Sequence, residues 1–329
     1  MKGSYQSLVF AFFLSSTLLS AETFSNTNNI PNDQSFGDFL KWALDSSNNP
    51  QRVEIESSNQ WQELNSKSLS YAVWIGQATY LINNGELNIL TDPIFSKRAS
   101  PVQWAGPKRM IPPAMRLSDL PLIDVVVVSH NHYDHLDLPS LKVLQKNNPN
   151  LVFLVPQGDK TLLDSHGLSN VSEFRWWQNI QINHTEFTFT PVQHWSGRGI
   201  TGRNTSLWGG WFLKSPSLSV YHAGDTGYSN DFVVTQKRLG TPDVAFIPIG
   251  AYKPRWFMKN QHVNPAEAVQ IALDLQTTRS FGMHWGTFVL TDEPIIEPRT
   301  MLGQVLKERN LAPDFFIAPA PGAILSIAR

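Results

Sequence analysis

Short apolar runs broken by polar turns dominate the chain from residue 69 onward, and they predict mostly strands. Residues 69–75 and 79–82 are apolar, and Asn83-Asn84-Gly85 supplies a hairpin turn into a run at 87–91. The run at 123–129 carries four consecutive valines, Val125 to Val128, so this strand is expected to be buried on both faces. Asp137 is placed to cap a helix reaching about Gln145, with a strand at 151–155 after it. Two strands are expected between 174 and 191, and runs at 207–213 and 218–222 pair across Ser215-Pro216. Another buried strand falls at 244–249. Asn264-Pro265-Ala266-Glu267 is a helix start, with a cap, a proline in the first turn and a glutamate three residues on. That helix runs to about Leu275, followed by a strand at 281–283, a helix at 301–309 and a closing strand at 324–327. No internal repeat or low-complexity linker is visible. Strands in runs with a few helices fit an α/β fold of two packed sheets covered by helices.

The N-terminus has a different pattern. Lys2 precedes an apolar stretch from Leu8 to Leu19, too short for a comfortable membrane span, and Ser20-Ala21 offers a small-residue cleavage point. The expectation is a signal peptide at 1–21, an exported, periplasmic protein with membrane association left open, and an N-terminal extension at 22–64. A single large domain would occupy 65–329. An uncleaved anchor is the rival reading. Residues 22–64 are rich in Asn, Ser and Gln, with a short helical pattern around 36–44.

Composition narrows the chemistry. The 329 residues carry a formal net charge of -1, which argues against a nucleic-acid partner. There are no cysteines, so a metal would have to be held by imidazole and carboxylate, a donor set that suits zinc, with manganese or iron as alternatives.

Apolar runs end in a metal-competent residue four times: VVVVSH at His130, FTFTPVQH at His194, LSVYHAGD at Asp225 and SFGMH at His284. The first opens into SHNHYDHLD. In extended chain His130 and His132 point the same way, so both can reach one metal, while Asp134 and His135 lie past a turn and can face a second. His194 would complete the first site, His284 the second, and Asp225 would bridge them. Two zinc ions per chain and a shared water or hydroxide nucleophile follow as expectations. Asp92 in LTDP fits an orienting role behind a metal-bound histidine, and Gly224 and Gly227 suit tight backbone around Asp225. His166, His184 and His222 have no partner spacing and read as structural, His222 as sheet packing. Arg255-Trp256-Phe257 with Lys253 and Lys259 suits phosphate holding, contact with a lipid surface, or a plain solvated turn. Trp104, Lys108 and Arg109 read the same way.

The HxHxDH motif with its downstream His, Asp and His resembles the metallo-β-lactamase superfamily. More narrowly, PIFSKRASPVQWAGPKR, SHNHYDHLD, VQHWSGR, AGDTGY, IPIGAYKPRWFMKNQHVNPAEAV and MHWGTF resemble the N-acyl-phosphatidylethanolamine-hydrolysing phospholipase D family, over about residues 69–311. The resemblance implies an αβ/βα sandwich with a dinuclear zinc site between two mixed sheets. It implies hydrolysis of N-acyl-phosphatidylethanolamine to N-acylethanolamine and phosphatidic acid. It also puts His262 beside the metals as a non-ligand, so Asp225 and His262 are the candidate catalytic residues. Arg255, Trp256 and Tyr252 are the candidates for substrate binding. A phospholipid is the implied partner; peripheral membrane contact and a homodimer are compatible with it. The enzymatic alternative is a metallo-hydrolase of a small lactone, thioester or other phosphodiester. A two-zinc β-lactamase commonly uses a cysteine that this chain lacks, a nuclease wants a basic surface, and a metal-binding protein without turnover would not need the full donor set.

Overall fold

The computed structural model describes residues 22–30, 41, 54–64, 70–199 and 201–328. The predicted leader at 1–21 and most of the helical pattern at 36–44 lie outside the described residues. Within these, fourteen strands form two sheets of seven. The first sheet holds β1 (Tyr71–Gly76), β2 (Thr79–Asn83), β3 (Asn88–Thr91), β4 (Val125–Val127), β5 (Val152–Pro156) and β6 (Val171–Phe174). The second holds β7 (Asn179–Ile182), β8 (Thr185–Thr190), β9 (Gly210–Lys214), β10 (Ser219–His222), β11 (Val244–Pro248), β12 (Ser280–Met283) and β13 (Phe316–Ile317). A late strand, β14 (Ile324–Ser326), returns to pair with β1 at the edge of the first sheet.

The helices are α1 (Leu138–Asn147), α2 (Lys160–Ser165), α3 (Asp231–Leu239), α4 (Arg255–Met258), α5 (Pro265–Asp274) and α6 (Glu297–Glu308). Parallel neighbours need a crossover, and helices supply it: α1 between β4 and β5, α2 between β5 and β6, α5 before β12 and α6 before β13. Across each sheet, three antiparallel pairings are followed by three parallel ones. The two halves therefore repeat one another, although the sequence shows no repeat.

Side-chain alternation explains how one strand serves two layers. Val125 and Val127 join the core between the sheets, whereas Val126 and Val128 pack with Leu141 and Leu144 of α1. Large aromatics tie the sheets together. Tyr80 of β2 packs on Phe246 of β11 at 4.1 Å between ring centres, and its hydroxyl donates to Gly282 O at 2.9 Å. Trp74 of β1 stacks on Trp285, just beyond β12, at 5.1 Å.

Two kinds of element departed from expectation. Helix α6 starts at Glu297 rather than 301, because Pro298 is tolerated in a first turn that needs no donor. Helix α3 was not expected: its Val233-Val234-Thr235 run has weak helix propensity, and burial of Phe232 and Thr235 overrides it. The helix α2 and the strands β6 and β13 are too short to leave a periodic signal. Asp137 precedes α1 as expected, but its carboxylate accepts from Ser96 Oγ (2.8 Å) and Ser140 Oγ instead of a first-turn N–H. No helix of the described residues is long and apolar enough to cross a membrane.

The start of α5 matches its sequence signature. Asn264 Oδ1 accepts from Glu267 N at 2.9 Å, and Glu267 Oε2 accepts from Asn264 N at 3.1 Å. We expect Asn264→Ala to lower stability by about 1 kcal/mol, read from urea midpoints at constant slope; an unchanged midpoint would show the box to be dispensable.

Candidate metal centre

Strand exits from both sheets converge on one rim. The exit of β4 supplies His130, His132, Asp134 and His135; β8 leads to His194, β10 to Asp225 and β12 directly to His284. The two sheets can approach this closely because Gly224 has no side chain. Its φ is +61°, and a Cβ there would lie 2.5 Å from that of Ser129.

Seven donors fall into two adjoining groups, His130–His132–His194 and Asp134–His135–Asp225–His284, with ligand-capable atoms within 4.8 Å of one another in each. Asp225 Oδ2 lies at the centre. It is 3.1 Å from His135 Nε2, 3.0 Å from His284 Nε2, 3.9 Å from His194 Nε2 and 4.0 Å from His130 Nε2. His262 Nδ1 is 3.8 Å from the same oxygen.

Several of these buried atoms approach without hydrogen-bonding. Among the described residues, His135 Nε2, Asp225 Oδ1 and His262 Nδ1 have no hydrogen-bond partner, and the ring of His132 turns its Nδ1 toward His130 Nε2 (2.8 Å) and His194 Nε2 (3.3 Å). Buried polar atoms are normally paired, so an orphan cluster of lone pairs converging on one space fits a cation. Charge points the same way. Burial, followed by the neighbouring imidazoles, pushes His130 well below its ordinary range. Burial likewise takes His132 and His194 to about 3. These rings are therefore neutral and present lone pairs. Burial would lower His135 and His284 too, but carboxylates outweigh it. Asp225, Asp134 and Asp92 raise His135 well above its usual range, and Asp225 with Asp134 takes His284 to about 9. Three buried carboxylates demand positive charge here, from protons or from metal ions.

A layer of hydrogen bonds aims the donors. Asp92, fully buried beyond β3, accepts from His135 Nδ1 (2.9 Å), Ser129 Oγ (2.7 Å) and His222 Nε2 (2.9 Å) through Oδ2. His222 is thus a partner of Asp92, which corrects the expectation of sheet packing. His194 Nδ1 donates to Gln261 O at 2.9 Å, leaving Nε2 for the centre. Gln77 Nε2 donates to Asp134 Oδ2 at 2.8 Å, and its carbonyl accepts from His284 N at 2.9 Å.

A family model described as the beta-lactamase superfamily domain matches residues 87–285. The chain is 39% identical over 259 residues to N-acyl-phosphatidylethanolamine-hydrolyzing phospholipase D 1 of Caenorhabditis elegans, covering 75% of this chain and 73% of that protein. The chain belongs to this phospholipase D family of the metallo-β-lactamase superfamily. A mitochondrial member from Saccharomyces cerevisiae is also 39% identical, over 263 residues, but the match spans 76% of this chain and only 55% of the yeast protein. A possible metal-dependent hydrolase from Veillonella parvula shares the fold, with a TM-score of 0.64 at 19% identity over 78% of this chain and 99% of that one.

For this member of the phospholipase D family, the donors expected from sequence are brought together, with His262 beside them. The three expected substrate contacts are placed differently from one another. The Arg255 guanidinium is held by Glu267 (2.7 and 3.0 Å) and the carbonyl of His262 (2.8 Å). Tyr252 is buried and donates its hydroxyl to Glu297 at 2.6 Å. Trp256 is half exposed, with Lys41 Nζ 4.8 Å from its ring centre. Trp104 is 81% exposed, whereas Arg109 donates to the carbonyls of Ile94 and Ser96.

Sequence reasoning missed Gln77 and Glu293. Glu293, buried, accepts from the backbone of Ala251, Tyr252 and Lys253 and so fixes the start of the loop that carries His262. Neither sits in a metal-like pattern; the only signal for Gln77 is its place at a tight break between two strands.

We expect Asp92→Asn to weaken divalent-metal affinity roughly 10–100-fold, the usual cost of losing an orienting carboxylate. Chelator competition measures it, and unchanged affinity would remove Asp92 from the orienting role.

Proposed function

We propose that the chain is a zinc-dependent phosphodiesterase with two zinc ions, hydrolysing N-acyl-phosphatidylethanolamine to N-acylethanolamine and phosphatidic acid. The observation that carries this reading is the placement of Asp225 Oδ2 within 4.0 Å of nitrogens from five histidines, four of them in the two donor groups and the fifth His262. The similarity to the worm phospholipase D supplies the substrate class.

His130, His132 and His194 would hold one ion, Asp134, His135 and His284 the other, with Asp225 between them. Ions bound there would supply Lewis acidity toward phosphoryl oxygens and a source of hydroxide at neutral pH. The protein's own part is to keep the donors rigid, through Asp92, Gln77 and the Gln261 carbonyl. His262 lies outside both donor groups, its Nδ1 has no partner among the described residues, and burial takes the ring to about 3, so as a neutral imidazole it can donate a hydrogen bond to a phosphate oxygen. A pocket beside His284, lined by Trp285, Phe288, Thr291, Glu293 and Ile295 among others, has a volume of only about 20 Å³. That is room for one water, not an acyl chain.

Purified protein with zinc and N-acyl-phosphatidylethanolamine in mixed micelles is expected to release N-acylethanolamine, detected by mass spectrometry. No release, with turnover of a lactone or thioester instead, would move the protein to the alternative class. Asp225→Asn should lose both activity and metal; a fully metallated, active variant would refute the bridging role. His262→Ala should keep its metal while kcat falls roughly 10²–10⁴-fold, and loss of metal would make His262 a ligand.

A further inference from the structure

We propose that residues 24–28 form a strap that sets the position of His194, with Asn26 as its positioning residue; this rests on His194 being a metal ligand. Asn26 is 6% exposed, and its Oδ1 accepts the backbone N–H of His194 at 3.0 Å. The same oxygen accepts from Trp208 Nε1 at 3.1 Å, but that indole has a second acceptor in Val192 O at 3.0 Å. Loss of the Asn26 amide therefore falls on His194. A buried backbone N–H at a strand exit needs an acceptor, and here it comes from a side chain 168 positions away rather than from a neighbouring strand.

The strap is tied down on both sides of Asn26. Phe24 N donates to Asn204 O at 2.8 Å, Thr27 Oγ1 to Asp231 Oδ1 at 2.6 Å, and Asn28 Nδ2 to Gln193 Oε1 at 2.6 Å. Gln193 passes the constraint on: its Nε2 donates to Asn260 O at 2.8 Å, and its carbonyl accepts from Gly227 N at 2.7 Å. Gln193 and His194 are thus clasped between the strap and the loop that ends in His262. The strap holds a ligand's backbone from one side while Gln261 O holds its ring from the other. Groups that orient a ligand from behind typically change metal affinity 10–100-fold when lost.

The test uses the full chain carrying Asn26→Leu or Asn26→Asp, with zinc affinity measured by chelator competition. Asn26→Leu should weaken zinc binding roughly 10–100-fold, and Asn26→Asp, which keeps an acceptor oxygen, should stay within about threefold of the parent. Parent-like affinity in Asn26→Leu overturns the proposal, even if its unfolding midpoint falls, because a purely structural strap would lower only the midpoint. Should Asn26→Leu not fold, hydrogen exchange on the parent decides: zinc should slow exchange across 22–30, and equal exchange with and without zinc overturns the strap. A parent that binds no zinc fails the metal reading itself.

Discussion

The structure turns on burying the Asp225 carboxylate at a point where strands of two sheets meet. A lone carboxylate there would be prohibitively expensive, so its surroundings have to answer its charge. Five imidazoles crowd around one of its oxygens, and two further carboxylates, Asp134 and Asp92, shift the balance back toward negative. The rings divide accordingly. Those of His130, His132 and His194 are held neutral by burial, while His135 and His284, nearest the carboxylates, favour positive charge. Such a division suits a centre that exchanges protons for cations without rebuilding itself.

Rigidity at this rim follows from the architecture. Each sheet runs from antiparallel to parallel pairing in the same order, so the parallel strands of both halves deliver their carboxyl ends to one side. Most donors sit one to eight residues beyond those ends, and His194 sits four residues beyond the antiparallel strand β8. Where a loop lengthens, hydrogen bonds replace the strand. Inside the SHNHYDHLD stretch, Asn131 is gripped by Asp159 (2.9 Å), Ser206 Oγ (2.8 Å) and the Gly197 N–H (2.8 Å). Asp159 is itself buried, and burial pushes its carboxyl up to about 7 against the pull of hydrogen bonds from Ser206 Oγ (2.7 Å) and Asn131.

The donor set was legible because each member follows an apolar run, and apolar runs are what sequence shows best. The capping box at Asn264 was legible for a similar reason: its partners are three residues apart. What could not be read were contacts set by long-range geometry. Gln77 reaches Asp134 across 57 positions, His222 reaches Asp92 across 130, and Asn26 reaches His194 across 168. None of these carries a local pattern, and His222 in isolation is indistinguishable from a packed histidine. The repeat between halves was hidden for a different reason. It resides in strand order and sense, which many sequences satisfy equally well.

The basic, aromatic loop from Gly250 to His262 commits most of its charged groups to pairs inside the protein. In sequence, Lys253, Arg255 and Trp256 look like handles for an anionic lipid. In the fold, Glu297 takes Lys253, Glu267 takes Arg255, and Glu293 takes three successive backbone N–H groups. Each carboxylate thereby spends its charge on the shape of the loop, and Arg255 spends a further donor on the carbonyl of His262 itself. A loop held at so many points cannot also close on substrate as a flexible lid. Its purpose is to deliver His262 to a fixed place beside Asp225. On the proposed reading, the charge that meets the phosphodiester then comes from the metal centre rather than from the loop's arginine and lysine.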